Sequence, residues 1–113
     1  MTSLTELART LDSLGIPWAN TAWRKDDEDR PAPPYIILMP HPSGGRSYGA
    51  GDGTWVATAD YDIELYAHER DYALERTAED ALDAIGIFWT KNFYFIENES
   101  LAETVFTVTV RED

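Results

Sequence analysis

Three carboxylates stand on one line in this sequence. Asp60, Asp62 and Glu64 alternate with Tyr61, Ile63 and Leu65. Side chains alternate faces along a strand, so the three acids share one face. Carboxylate oxygens are ligands for hard cations. Positions i and i+2 stand about 7 Å apart, from a rise of roughly 3.3 Å per residue. One ion cannot bridge that spacing without ligands from elsewhere, so the row predicts no metal site. A carboxylate pair for glycoside chemistry needs a sugar cleft, and nothing in the sequence indicates one. The row then has two readings. It is a solvated face, or it is a surface that meets a partner or borders a channel.

The other reactive residue types are sparse. The two histidines, His41 and His68, lie far from metal-ligand spacing. His41 sits between Pro40 and Pro42 with no evident partner. His68 and Glu69 read as the polar end of a strand. No serine occupies a nucleophile elbow. Gly44 to Gly53 lacks the Lys-Ser/Thr of a phosphate loop, so it reads as a connection. The residues suggest no catalytic constellation, no cofactor and no enzyme.

With 113 residues the chain is sized for one domain, 1–113. Its 43% hydrophobic and 12% aromatic content suffices for one modest core. It has no cysteine, hence no disulfide framework. No apolar run approaches the roughly 20 residues of a membrane helix. The N-terminus opens on a helix pattern rather than a basic-then-apolar leader. The expectation is a soluble, intracellular protein. Twenty-one acids against nine bases leave a net charge of −12. Such a chain is not built to neutralise phosphates. A surface of this sign also suits a passage through which DNA slides without sticking.

Hydrophobic spacing sets the elements that must position these residues. Ser3-Leu4-Thr5-Glu6 is a capping box, and Leu4, Leu7, Ala8, Leu11 and Leu14 form a helical stripe. Gly15 and Pro17 end that helix, which spans about 3–14. A short strand is expected over 19–23, then a proline-rich acidic loop over 25–34. Tyr35 to Met39 is an apolar run that reads as a buried strand. His41 to Gly53 holds five of the seven glycines, and reads as a mobile loop or a long hairpin connection. Thr54 to His68 is the long central strand, with Trp55, Ala57, Ala59, Tyr61, Ile63 and Leu65 on its dry face. Asp71 caps a second helix over 71–85, with Leu74, Ala78, Ala81, Leu82 and Ile85 inward. Glu75, Arg76, Glu79, Asp80 and Asp83 form its wet face. Ile87 to Trp89 and Phe93 to Ile96 are two short strands, or one with a bulge near Lys91-Asn92. After a turn at 98–100, Glu103 to Arg111 is the closing strand. The class is α+β, in the order α-β-β-β-α-β-β, a mostly antiparallel sheet with two helices packed on one face. Leu7, Leu11, Ile37, Ile63, Leu65, Leu82 and Phe106 are expected inside. Leu11 to Trp18 echoes Leu82 to Trp89, and convergence on one stop signal accounts for the echo.

The order of these stretches carries a resemblance. A capped helix ends in Leu14-Gly15-Ile16-Pro17, and a charged, proline-rich loop leads into Pro33-Pro34-Tyr35-Ile36-Ile37-Leu38. A Gly/Asp loop precedes Tyr61 to Tyr66. The second helix ends in Ala84-Ile85-Gly86-Ile87-Phe88-Trp89, and an acidic turn at Ile96 to Glu99 leads to the last strand. Across nearly the whole chain this resembles the small tail-completion, or tail terminator, proteins of long-tailed bacteriophages and prophages, often labelled minor capsid or head–tail joining proteins. The resemblance implies a structural protein that forms a ring, commonly a hexamer. The ring caps the tail tube and docks it to the head connector or stopper, and DNA passes through its centre unbound. It implies a place at the head–tail junction of the virion after synthesis in the host cytoplasm, with no membrane and no catalytic residues. Arg46 and Tyr48 are types that anchor interfaces. They stand in a loop expected to order only against a neighbour, and with Asp60, Asp62 and Glu64 of the central strand they are the candidate interface. The alternative is a small acidic module that binds a ligand or peptide through the strand's acidic face.

Overall fold

A computed structural model describes residues 1–21, 31–49 and 55–112, and only the backbone of 43–49 and 55–56. The first helix, α1, is Leu4–Ser13. The Ser3 hydroxyl accepts from the Glu6 amide at 3.1 Å, satisfying an amide that the first turn leaves orphaned. α2 is Tyr72–Ala84, capped in the same way by the Asp71 carboxylate on the Leu74 amide at 3.0 Å. Both helices stop at a left-handed glycine, Gly15 at φ +77° and Gly86 at φ +72°, a conformation that costs other residues.

Five strands form one sheet. They are β1 (Trp18–Asn20), β2 (Tyr35–Gly49), β3 (Trp55–Ala67), β4 (Trp89–Ile96) and β5 (Leu101–Arg111). Their order is β1-β2-β3-β5-β4. β1 runs parallel to β2, and every other neighbouring pair is antiparallel. The class is therefore α+β with a mixed, mostly antiparallel sheet. The Pro33–Pro34 peptide that leads into β2 is cis.

Both helices cover one face. Leu7 and Leu11 of α1 and Ala78 and Leu82 of α2 pack on Ile36, Leu38, Ile63, Leu65, Phe106, Val108 and Val110. The register explains the set, because Ile36 faces Leu65, Leu38 faces Ile63, and Ile63 faces Phe106 across the strands. Phe106 is fully buried, with the Trp89 ring edge-on at 5.6 Å. The echo between the two helix ends persists in three dimensions. Trp18 donates its indole N–H to Asp12 at 2.7 Å, and Trp89 donates to Asp83 at 2.9 Å. Each indole thus clamps back onto the helix that precedes its strand, and β1 and β4 lie at opposite edges of the sheet.

Several expectations change. The stretch from His41 is no loop, since β2 continues to Gly49 and pairs with β3 as far as Trp55. The expectation of a segment ordered only by a partner fails up to Gly49, and residues 50–54 lie outside those described. Ile37 is only half-buried and takes the other face, because Ile36 and Leu38 are the positions in register with the core. Residues 89–96 form one strand in unbroken register with β5, with no bulge at Lys91-Asn92. Glu75 is 2% exposed rather than wet. The expected 19–23 strand is three residues long, and its positions beyond Thr21 fall outside the described residues, as does most of the 25–34 loop.

β2 and β3 run past the rest of the sheet. β5 ends opposite Thr58, so among the described residues the far end of β2 and β3 is a two-stranded arm. The radius of gyration, 15.1 Å, exceeds the roughly 13 Å of a compact chain of this length, and the long axis is 51 Å.

Candidate functional site

The candidate site is the sheet face away from the helices. Asp60, Asp62 and Glu64 project there from β3, since Tyr61, Ile63 and Leu65 occupy the helix side. They are not a plainly solvated row. β5 sets a hydroxyl opposite each aspartate: Asp60 pairs with Thr109 and Asp62 with Thr107. Thr109 donates to Asp60 at 2.5 Å and Thr107 to Asp62 at 2.7 Å. Asp60 is 7% exposed. A carboxylate removed from water requires such donors.

Opposite Glu64 the register places Val105, which has no donor. Glu64 therefore accepts from the Tyr66 hydroxyl on its own strand at 3.1 Å. Burial raises the Glu64 carboxyl above its usual range, and the charge of Glu103 adds to that push. Burial likewise pushes the Tyr66 hydroxyl well up, helped by Glu103 and Glu64. The Tyr66 ring stacks on Tyr35 at 5.2 Å, which closes this end of the face.

His41 does have a partner. Its Nδ1 lies 2.9 and 3.0 Å from the two oxygens of Asp62. A bulge aims it there. Pro40 pairs with Tyr61 and Gly45 with Ala59, so five steps along β2 match two along β3. Pro40 and Pro42 lack the amides that a regular ladder needs, so the strand bulges where they sit. A carboxylate at Nδ1 favours the tautomer that carries its proton there. Among the described residues no hydroxyl is hydrogen-bonded to His41, and a nucleophilic triad requires one. No group of three or more potential metal ligands occurs among the described residues.

A hollow of about 690 Å³ opens beside this face. His41, Asp60, Thr107 and Thr109 line its polar side, and Ile87, Phe88, Trp89 and Met1 its apolar side. Phe88 at its rim is 92% exposed. Of the five candidate residues, the structure brings Asp60, Asp62 and Glu64 together. Arg46 and Tyr48 stand farther out on the arm, in register with Thr58 and Val56. Their side chains lie outside the described part.

Sequence reading missed a second charged group, on the helix side. The Glu75 carboxylate accepts from Arg70 at 3.0 and 3.3 Å and from Lys91 at 3.3 Å, and Lys91 reaches Glu79 at 2.8 Å. The Arg70 guanidinium lies 4.1 Å from the Phe93 ring centre and 4.7 Å from that of Tyr72. Burial alone would raise the Glu75 carboxyl, but hydrogen bonds from Arg70 and Lys91 outweigh it and hold it below its usual range. The signal was present in the spacing. Glu75 lies three residues before Ala78 and seven before Leu82, on the same stripe, and Lys91 alternates with Trp89 and Phe93. The group pins α2 to β4. No helix among the described residues is long and apolar enough to cross a membrane. Compared with known protein families and with curated proteins, the chain matches none.

Proposed function

We propose that this protein is a structural component of a bacteriophage tail. It assembles as a ring, caps the tail tube and joins it to the head connector or stopper while DNA passes through. The observation that supports this reading most is the sheet face that neither helix covers, which carries Asp60, Asp62 and Glu64. On it Thr107 and His41 hold Asp62, and Thr109 bonds Asp60, so these carboxylates are fixed in place. In a chain of net charge −12, a fixed acidic face borders a channel that repels the DNA backbone and gives it nowhere to stick. Contacts within such a ring are heterologous, one patch meeting a different patch on the next copy.

The test is assembly. Mass in solution and negative-stain electron microscopy should give closed rings, and adding the protein to extracts that lack a tail terminator should restore head–tail joining. A protein that stays monomeric at high concentration and restores no joining overturns the reading. A second reading, a small acidic binding module, is favoured by the hollow of about 690 Å³ beside the acidic face. It predicts a monomer that captures a ligand or peptide in that hollow.

A further inference from the structure

Among the described residues both edges of the sheet are open, and they differ. β4 is one edge, and among the described residues no strand lies beyond it. It is eight residues long, in unbroken register with β5. Tyr94 and Phe95 on it are 53% and 57% exposed. An edge of this kind is a template for another strand unless charge, proline or a bulge blunts it. β4 has no proline and no bulge, and its one charge, Lys91, is tied to Glu75 and Glu79.

At the other edge β1 pairs with β2 only over Ile36, Ile37 and Leu38. Beyond Leu38 no strand among the described residues pairs with the outer side of β2. Pro40, Pro42 and the bulge blunt the near part, but Gly45–Gly49 is in regular register with β3. This is also where, among the described residues, the sheet becomes two-stranded, and a two-stranded ribbon is marginal by itself.

We propose that the outer edge of β4 in one copy adds to the outer edge of β2, over Gly45–Gly49, in the next copy. The inference rests on the ring reading and names its seam. Direction supports it. β4 is antiparallel to β5, β5 to β3, and β3 to β2, so β4 and β2 run oppositely. A rotation about an axis along the strands preserves their direction, so β4 meets the next β2 antiparallel. The same rotation keeps all helices on one side of the joined sheet and all acidic faces on the other. Charge supports it too. Residues 84–96 and 30–51 contain no Asp or Glu, in a chain with 21 acids. Two copies that repel almost everywhere can approach along these two edges.

The chain has no cysteine, which makes crosslinking clean. Asn92→Cys and Tyr94→Cys are each combined with Arg46→Cys and Tyr48→Cys. These are the positions that the register puts on one face of the sheet. Each double variant is oxidised with copper phenanthroline at high protein concentration. At least one should give a ladder of covalent trimers and higher species on a non-reducing gel, while each single variant stops at the dimer. Electron microscopy of the unmodified protein is run beside it. A ladder with closed rings supports both seam and ring. A ladder with open filaments supports the seam and overturns the ring. Rings without a ladder overturn the seam alone, and neither rings nor ladder overturns both.

Discussion

Glu64 and Glu75 show how a single carboxylate is set by what faces it. Glu64 is opposite Val105, so burial and Glu103 raise its pKa. A group whose folded pKa is raised contributes stability below its unfolded value and loses it as pH rises through the folded one. At neutral pH its charge is thus a cost, and Glu64→Gln should raise the melting temperature. The gain should stay below about 1 kcal/mol, because a half-exposed carboxylate is screened, and should vanish as pH falls below 4.5, the ordinary value. Glu75 has the opposite sign. Its pKa is lowered, so its contribution is present above 4.5 and is lost as pH falls through the folded value. Glu75→Gln should cost about 1–3 kcal/mol at neutral pH, as for a hydrogen bond between charged groups. Denaturant melts at several pH values would measure both. A Glu75→Gln penalty that does not shrink in acid would contradict the ion pairs.

At the scale of the element, the helix stops and the strand phase matter most. Gly86 ends α2 at φ +72°, and an added Cβ there meets nothing within 4 Å. Gly86→Ala should therefore cost only the backbone strain of the left-handed region, roughly 1–2 kcal/mol. A larger loss in thermal melts would mean that the turn carries packing too. Leu65, 3% exposed on the core side of β3, tests the phase of the central strand. Leu65→Ala should cost about 2–5 kcal/mol, since it leaves a cavity in the core. An unchanged melting temperature would refute the phase. The same two-residue period that buries Leu65 fixes Asp62 and Glu64 on the far side, so one mutation tests core and site together.

The whole molecule carries more charge than its folded form favours. A net charge of −12 destabilises a compact state by self-repulsion. Raising NaCl from about 0.02 M to about 0.5 M shortens the Debye length from roughly 20 Å to roughly 4 Å. The melting temperature should then rise by several degrees, although salt also weakens the partly exposed bonds of Arg70 and Lys91. A fall on adding salt would mean that ion pairs outweigh repulsion. Screening should also help copies meet, so any assembly should grow with salt. A contact made by opposite charges would weaken instead.

Period and punctuation were legible in the sequence. Both helices, their caps at Ser3 and Asp71, their glycine stops, the order of the seven elements and the α+β class follow from residue spacing, because these are local properties of the backbone. So was the shared face of Asp60, Asp62 and Glu64. Partnership was not legible. That Thr107 and Thr109 sit under the aspartates depends on a register set between strands more than forty residues apart. That His41 reaches Asp62 depends on a bulge whose size only the β2–β3 pairing defines. Glu75 looked wet because acids on helices usually are, and it is buried because β4 brings Lys91 against it from another part of the chain. Five glycines made His41 to Gly53 look like a loop, since glycine costs entropy in a strand. Pairing with β3 draws that stretch into the sheet as far as Gly49, and only the tertiary structure supplies the partner that offsets that cost.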